Sequence, residues 1–554
     1  MDTTDFVLSP EKTTIKSFAS DARTLTGLNP YTNTWGENEI IHLLKRTMFG
    51  AKKVDIDYFK TRTLTQAIAE LLNPTAPLPA PPVKEYDTTG ALTQPDTAIL
   101  AGQTWINDVN NDGAIQSKRR ASFKKWWMGV MINQDRSVRE KMNMFWHNHF
   151  ATETADIGNG NFIYRHHSLF RNNALGNFKT LTRAITVDPS MLIYLNGQLN
   201  TATAPDENFS RELLELFSCG KGPASLYTEN DVKMAAKVLT GWRNNGTTFS
   251  SYFTASRHDS TNKQFSSFYN NTIITGRNTA TAGDVELDDL LNMIFATQEV
   301  AKYVCRRLYR WFVYYEIDST TEANIITPLA NILRTNNYEI KPVLQTLLSS
   351  EHFFDAANMG CQIKSPVDVV VGMCRELNVL FQPSTDYVSN YGLWNYLVSW
   401  STNMQQNIGD PPDVSGWKAY YQEPQFYEIW INSDTLPKRI QFTDTLCVSG
   451  YTFSGKKIMV DGVEFAKTLS NPSDPNILIN DVIKYLYRIN LSATSKAQIK
   501  KDILLGGQVT DYYWTDAWNT FISTPGNTAN ATIVRNRMRD LLKYFMALAE
   551  YQLA

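Results

Sequence analysis

Apolar residues recur every three to four positions along most of this chain, and that spacing restricts the fold more than any other feature. Ile40, Ile41, Leu43, Leu44 and Met48 keep it within residues 36–73, and Thr63-Leu64-Thr65-Gln66-Ala67-Ile68-Ala69-Glu70-Leu71-Leu72 continues it. A 3.6-residue repeat lines up one face of a helix, whereas a half-buried strand needs strict alternation. Breakers are also scarce: 28 Gly and 22 Pro in 554 residues are few for an all-β protein of this size. The expected fold is predominantly α, a multi-helix assembly with small β-hairpin insertions.

Punctuation divides the chain into four expected parts. Asn73-Pro74 stops the N-terminal helical segment, residues 1–73. Pro77, Pro79, Pro81 and Pro82 begin a Pro-rich linker and Asx-rich loop, residues 74–120, because proline lacks the amide hydrogen a helix needs. A helical core follows at residues 121–380, and a C-terminal helical region at 381–554. Within the core, residues 246–283 turn rich in Thr, Ser, Asn, Phe and Tyr, which suits a small hairpin or a long ordered loop. A strand pair is expected at residues 457–465, turning on Asp461-Gly462. The last helix is expected at residues 534–553, with Val534, Met538, Leu541, Leu542, Phe545 and Leu548 on one stripe.

The net charge of −2 gives no basic field for nucleic acid, and Lys118-Arg119-Arg120 reads as a solvated helix face. No run of eighteen apolar residues exists, so no membrane-spanning helix is expected. Met1-Asp2-Thr3-Thr4-Asp5 lacks a basic start and an apolar block, so a cytoplasmic location is expected, or the cell envelope or periplasm if a signal has been removed. The five cysteines are widely spaced and form no Cys-x-x-Cys pair, which points to free thiols.

Chemistry is expected between Trp146 and Asp259. Four of the seven histidines fall at 147, 149, 166 and 167, two of them in Trp146-His147-Asn148-His149-Phe150. Histidine ligates borderline metals and moves protons near neutral pH. His147 and His149 are candidate metal ligands, but residues two apart lie about 200° apart on a helix. They can share an ion only if the helix ends near Trp146. The second motif is Glu207-Asn208-Phe209-Ser210-Arg211-Glu212-Leu213-Leu214-Glu215, whose helical period puts carboxylates and Arg211 on one face and apolar side chains on the other. One reading is a surface helix of Glu207–Arg211–Glu215 pairs. The other turns Glu212 and Glu215 toward the histidines as ligands or general bases, with Arg211 as an anion clamp. His258-Asp259 is a further candidate pair of ligands. The cofactor expected with these groups is a divalent metal, zinc, manganese or iron. Asp108-Val109-Asn110-Asn111-Asp112-Gly113 begins like a calcium loop, but Arg119 stands where the bidentate Glu belongs, so calcium at Asp108–Asp112 is not expected. Gly450 to Lys457 nearly spells a phosphate-binding loop, yet lacks its Ser/Thr and its following helix.

Together these motifs resemble the bacterial family called domain of unknown function 1800. The resemblance runs from Ile41-His42-Leu43-Leu44-Lys45-Arg46 through Phe145-Trp146-His147-Asn148-His149-Phe150-Ala151-Thr152, Asp188-Pro189-Ser190-Met191-Leu192 and Glu207 to Leu216. It continues through Leu239-Thr240-Gly241-Trp242 to Pro411-Pro412-Asp413-Val414-Ser415-Gly416-Trp417. It implies that His147, His149, Glu212 and Glu215 belong to a site, since the family signatures centre there. Phe217 stands where many relatives carry a histidine. Members are often encoded beside domain of unknown function 1501, which is similar to sulfatases and alkaline phosphatases, so such a protein is an expected partner. Two functions follow as expectations: a metal-assisted hydrolase-like site, or a non-catalytic scaffold acting with that neighbour.

Overall fold

Several helices of this chain begin where a short polar side chain takes up the first free amides. Asp112 Oδ1 accepts from Ala114 N and Ile115 N and opens helix Gly113–Ile132. Asn159 does the same for Gly160–Asn172, and Asp188 for Pro189–Tyr194. Thr228 and Ser365 form reciprocal capping boxes with Asp231 and Asp368. The computed structural model describes residues 27–87, 95–417, 430–524, 526 and 528–554. The opening residues 1–5 lie outside them. The fold is predominantly α, 56% helical, and the only sheets among the described residues are three two-stranded antiparallel hairpins.

One hairpin, Lys263–Gln264 with Ile273–Ile274, lies within the expected stretch 246–283, and another pairs Ser250–Phe253 of that stretch with Trp242–Asn245 just before it. The third corrects an expectation. It pairs Tyr451–Phe453 with Lys456–Ile458, turning at Ser454-Gly455 rather than at Asp461-Gly462. Asp461 instead caps helix Gly462–Lys467 through Val463 N and Glu464 N. An Asp-Gly pair serves a turn and a helix start equally, and here the helix takes it. The last helix is Thr528–Ala547, starting and ending earlier than the expected 534–553 and followed by a 3₁₀ turn at Ala549–Gln552. Val534, Met538, Leu541, Leu542 and Phe545 of the expected stripe are buried, while Leu548 lies past the helix and is partly buried.

Helix Gly113–Ile132 packs along Tyr387–Asn403 on one side and against Gly160–Asn172 on the other. It starts inside the expected linker, and the Pro-rich segment lies against it, with Trp126 Nε1 donating to the Ala80 carbonyl. Helix Glu37–Thr47 is buried over Ile40 to Thr47 and joins distant parts of the chain. Lys45 is ion-paired with Glu376, and Arg488 donates to the Asn38 carbonyl. Gly50 reaches Gly372 so closely that a Cβ on Gly50 would sit 2.8 Å from the Gly372 Cα. Among the described residues no helix is long and apolar enough to cross a membrane.

Candidate functional site

The histidine helix, Arg139–His149, is buried along its whole length and continues helically to His149. Its two signature imidazoles therefore leave on opposite sides. His147 sits among Trp127, Phe170 and Trp417, with ring centroids 5.2, 6.3 and 5.5 Å away. Burial pushes its pKa down to about 3, assisted by His166, and its Nε2 has no hydrogen-bond partner. His149 faces Phe150, Phe178 and Phe217 and donates from Nε2 to the Phe217 carbonyl at 3.1 Å. Burial, then the Arg307 charge, holds it neutral. Phe217 thus supplies a main-chain acceptor to this ring. Among the described residues, no group of three or more His, Cys, Asp or Glu side chains is placed to hold an ion.

His258 and Asp259 belong to another centre. His258 Nδ1 donates to the Thr240 carbonyl, and its Nε2 lies 3.1 Å from Glu286 Oε1. Lys263 Nζ donates to Glu286 Oε2 at 2.6 Å and also to the Asp259 carbonyl. Asp259 Oδ1 accepts from Thr261 N at 2.8 Å. This buried network fastens the Thr/Ser-rich stretch to helix Ala282–Ala296. Near the start of the core, the Arg119 guanidinium reaches Asp108 Oδ2 at 2.5 Å and Asp96 Oδ2 at 3.0 Å. A fixed cation thus meets the first carboxylate of the calcium-like segment, and Asp112 is engaged as a helix cap.

Helix Asn208–Glu215 buries Phe209, Ser210, Leu213 and Leu214 and leaves its polar face partly open. Arg211 pairs with Glu207 at 3.2 Å and Glu229 at 2.7 Å, and Glu215 pairs with Lys221 at 3.2 Å. These contacts match the surface-helix reading for Arg211 and Glu215. Glu212 differs. It is half-buried, and burial, followed by the charges of Glu215 and Asp413, pushes its carboxyl up to about 7.

Asp413 comes from the distant Pro411-Pro412-Asp413-Val414-Ser415-Gly416-Trp417 loop, which is stapled to the histidine helix. Trp417 N donates to Asn148 Oδ1 at 2.7 Å, and Arg307 Nη2 donates to the Asn148 carbonyl at 3.2 Å. Upstream, Asp410 Oδ1 accepts from Thr154 N at 2.7 Å, while Lys124 pairs with its other oxygen. Those bonds bring Glu153 and Tyr194 to the same place. Tyr194 OH donates to Glu153 Oε1 at 3.4 Å. The Glu153 carboxyl is raised by partial burial and then by Asp156, with Asp410 and Asp413 adding to it. Glu153 and Glu212 thus each lie in the field of the Asp413 charge.

Glu153, Tyr194 and Asp413 are the residues that motif reading did not single out. Asp413 sat in a quoted signature, and Glu153 follows the histidine motif by four positions. Neither has a spacing that announces a site, because their meeting depends on a contact 269 residues apart in sequence.

Compared with known proteins, residues 42–553 match the family model described as "Protein of unknown function (DUF1800)". No curated protein matches the chain, and no solved structure matches it.

Proposed function

The chain belongs to the DUF1800 family, and from that premise we propose that the family signatures build a hydrolase-like acid–base site with Glu212 as its proton carrier. The observation that carries this reading is the raised carboxyl of Glu212, held near neutrality by burial and then by the charges of Glu215 and Asp413. Two carboxylates from remote segments lie in each other's field, and one of them titrates near neutrality. A carboxyl poised near the working pH can give a proton to a leaving group or take one from water, and such tuning by burial and like charge marks acid–base sites. Glu153 and Tyr194 add a carboxylate–phenol pair in the field of Asp413. Together they offer hydrogen bonds to a polar, hydroxyl-bearing substrate.

The imidazoles have a positioning role in this reading. The donor set at His147 and His149 does not fit one shared ion, because the helix carries the rings apart. His147 packs under Trp417, and Asn148 between the two histidines holds the loop that delivers Asp413.

The test is hydrolysis of a panel of nitrophenyl esters, phosphates and glycosides by the wild type, Glu212→Gln and Asp413→Asn. Loss of turnover by ~100-fold or more in Glu212→Gln, with unchanged melting temperature at pH 5, is the expected result. Full activity in that variant would remove Glu212 from the chemistry. A wild type inactive on every class would favour a scaffold role.

A further inference from the structure

A cavity of about 770 Å³ opens elsewhere, where helix Lys53–Phe59, the end of helix Pro366–Glu376 and helix Gly462–Lys467 come together. Its volume falls in the range that small-molecule sites occupy. Arg375 forms part of its wall and is 1% exposed. One Arg375 nitrogen, Nη1, donates to the Ile132 carbonyl at 2.8 Å, while Nε has no partner. A buried guanidinium nitrogen without an acceptor costs free energy that a bound anion would return.

Lys52 lines the cavity next to Arg375, and burial and the Arg375 charge disfavour its ammonium, with Asp55 compensating in part. Asp55 is itself shared between Arg136 at 2.9 Å and Arg375 at 3.5 Å. Most of the acidic lining oxygens are engaged. Asp57 pairs with Lys53, Glu464 with Lys467 and Glu376 Oε1 with Lys45, and Asp461 caps its helix, while Glu376 Oε2 has no partner. The mouth is apolar: Leu380 is 71% exposed, Val54 60% and Met459 39%, an arrangement that leaves large side chains in water.

We propose that this cavity binds an amphiphile whose anionic head, a carboxylate or a phosphate, is held by Arg375 and Lys52 while its apolar chain lies on Val54, Leu380 and Met459. Guanidinium and ammonium side by side suit an oxyanion, and the exposed rim suits a chain of several methylenes.

The experiment is calorimetric titration of the full chain with octyl phosphate, octanoate, inorganic phosphate and octyltrimethylammonium. Octyl phosphate or octanoate is expected to bind with Kd below ~1 mM, and the tighter of the two identifies the head group. Inorganic phosphate is expected to bind at least ~10-fold more weakly than octyl phosphate, for want of the chain. Lys52→Glu and Leu380→Asp should each weaken the octyl anions ~10-fold or more. Arg375→Gln should do so more strongly, and if it fails to fold, Lys52→Glu carries the test. Equal binding of the octyl cation, no binding of either octyl anion, or unchanged binding in Lys52→Glu would overturn the proposal.

Discussion

The Trp417 backbone amide donates to Asn148 Oδ1 at 2.7 Å, tying a loop near residue 415 to the end of the histidine helix. Asn148 is 1% exposed and also receives Arg307 on its carbonyl. Together with the Asp410 bonds to Thr154 and Lys124, this side chain holds the loop that carries Asp413. Its neighbour in the loop, Gly416, has φ +87°, and a Cβ there would come 2.2 Å from Asn148 Oδ1 and 2.4 Å from its carbonyl oxygen.

Gly416→Ala should therefore strain the backbone and push the loop off Asn148. We expect a loss of ~2 kcal/mol or more in urea unfolding, since the left-handed conformation and the contact act together. Asn148→Leu should cost ~1–3 kcal/mol by leaving the Trp417 amide unsatisfied. It should also speed hydrogen exchange at that amide. Unchanged exchange in Asn148→Leu would show that the loop is held by other means.

Acid should unfold the protein earlier than its carboxylates alone would dictate. Burial keeps His42, His147, His149 and His167 neutral, with folded-state pKa values below the usual 6.5. Below pH 6.5 the unfolded chain takes up protons that the folded chain refuses, so stability is lost as pH falls through that value. Each such histidine contributes a slope of up to ~1.4 kcal/mol per pH unit. Urea unfolding at pH 7.5, 6.5 and 5.5 should show the decline, and His149→Gln should reduce its slope. A flat profile would contradict the burial of neutral imidazoles.

The buried triad of His258, Lys263 and Glu286 should behave as architecture. Burial opposes the Glu286 charge, but bonds from His258 and Lys263 outweigh it and hold its carboxyl below the usual range. Glu286→Gln strands the Lys263 ammonium, which is 0% exposed, and should cost ~3–5 kcal/mol. Thermal unfolding reads this directly, and hydrolysis per folded molecule should not change. A selective loss of activity at full stability would return His258 and Asp259 to the chemistry.

Glu212→Gln should stabilise the protein in a pH-dependent way. A carboxyl raised to about 7 in the fold penalises folding as it ionises. The penalty is absent below the unfolded value near 4.5 and grows until pH passes 7. The variant should match the wild type at pH 4 and exceed it at pH 8 by ~1 kcal/mol, after allowance for the partial exposure of the site. Differential scanning fluorimetry at both pH values gives the comparison, and equal melting temperatures at pH 8 would be the adverse outcome.

Local signals in the sequence were legible because single helices state them. The stripe of Val534, Met538, Leu541, Leu542 and Phe545 is buried, and the change of composition after Trp242 coincides with hairpins. Asp461-Gly462 misled because a helix cap and a hairpin turn use the same pair. The site was half legible. Glu212 lay in a motif, but on the helical wheel it looks like Glu215, and what raises its carboxyl is burial first, then the charges of Glu215 and the distant Asp413. No periodicity encodes a meeting of segments two hundred residues apart.

The most direct measurement is the carboxyl titration of Glu212, followed by carbon NMR in glutamate-labelled protein with Glu212→Gln assigning the resonance. The account predicts a midpoint of about 7 that falls in Asp413→Asn. A midpoint near 4.5 in both proteins would mean that Glu212 is an ordinary surface carboxylate and carries no acid–base chemistry.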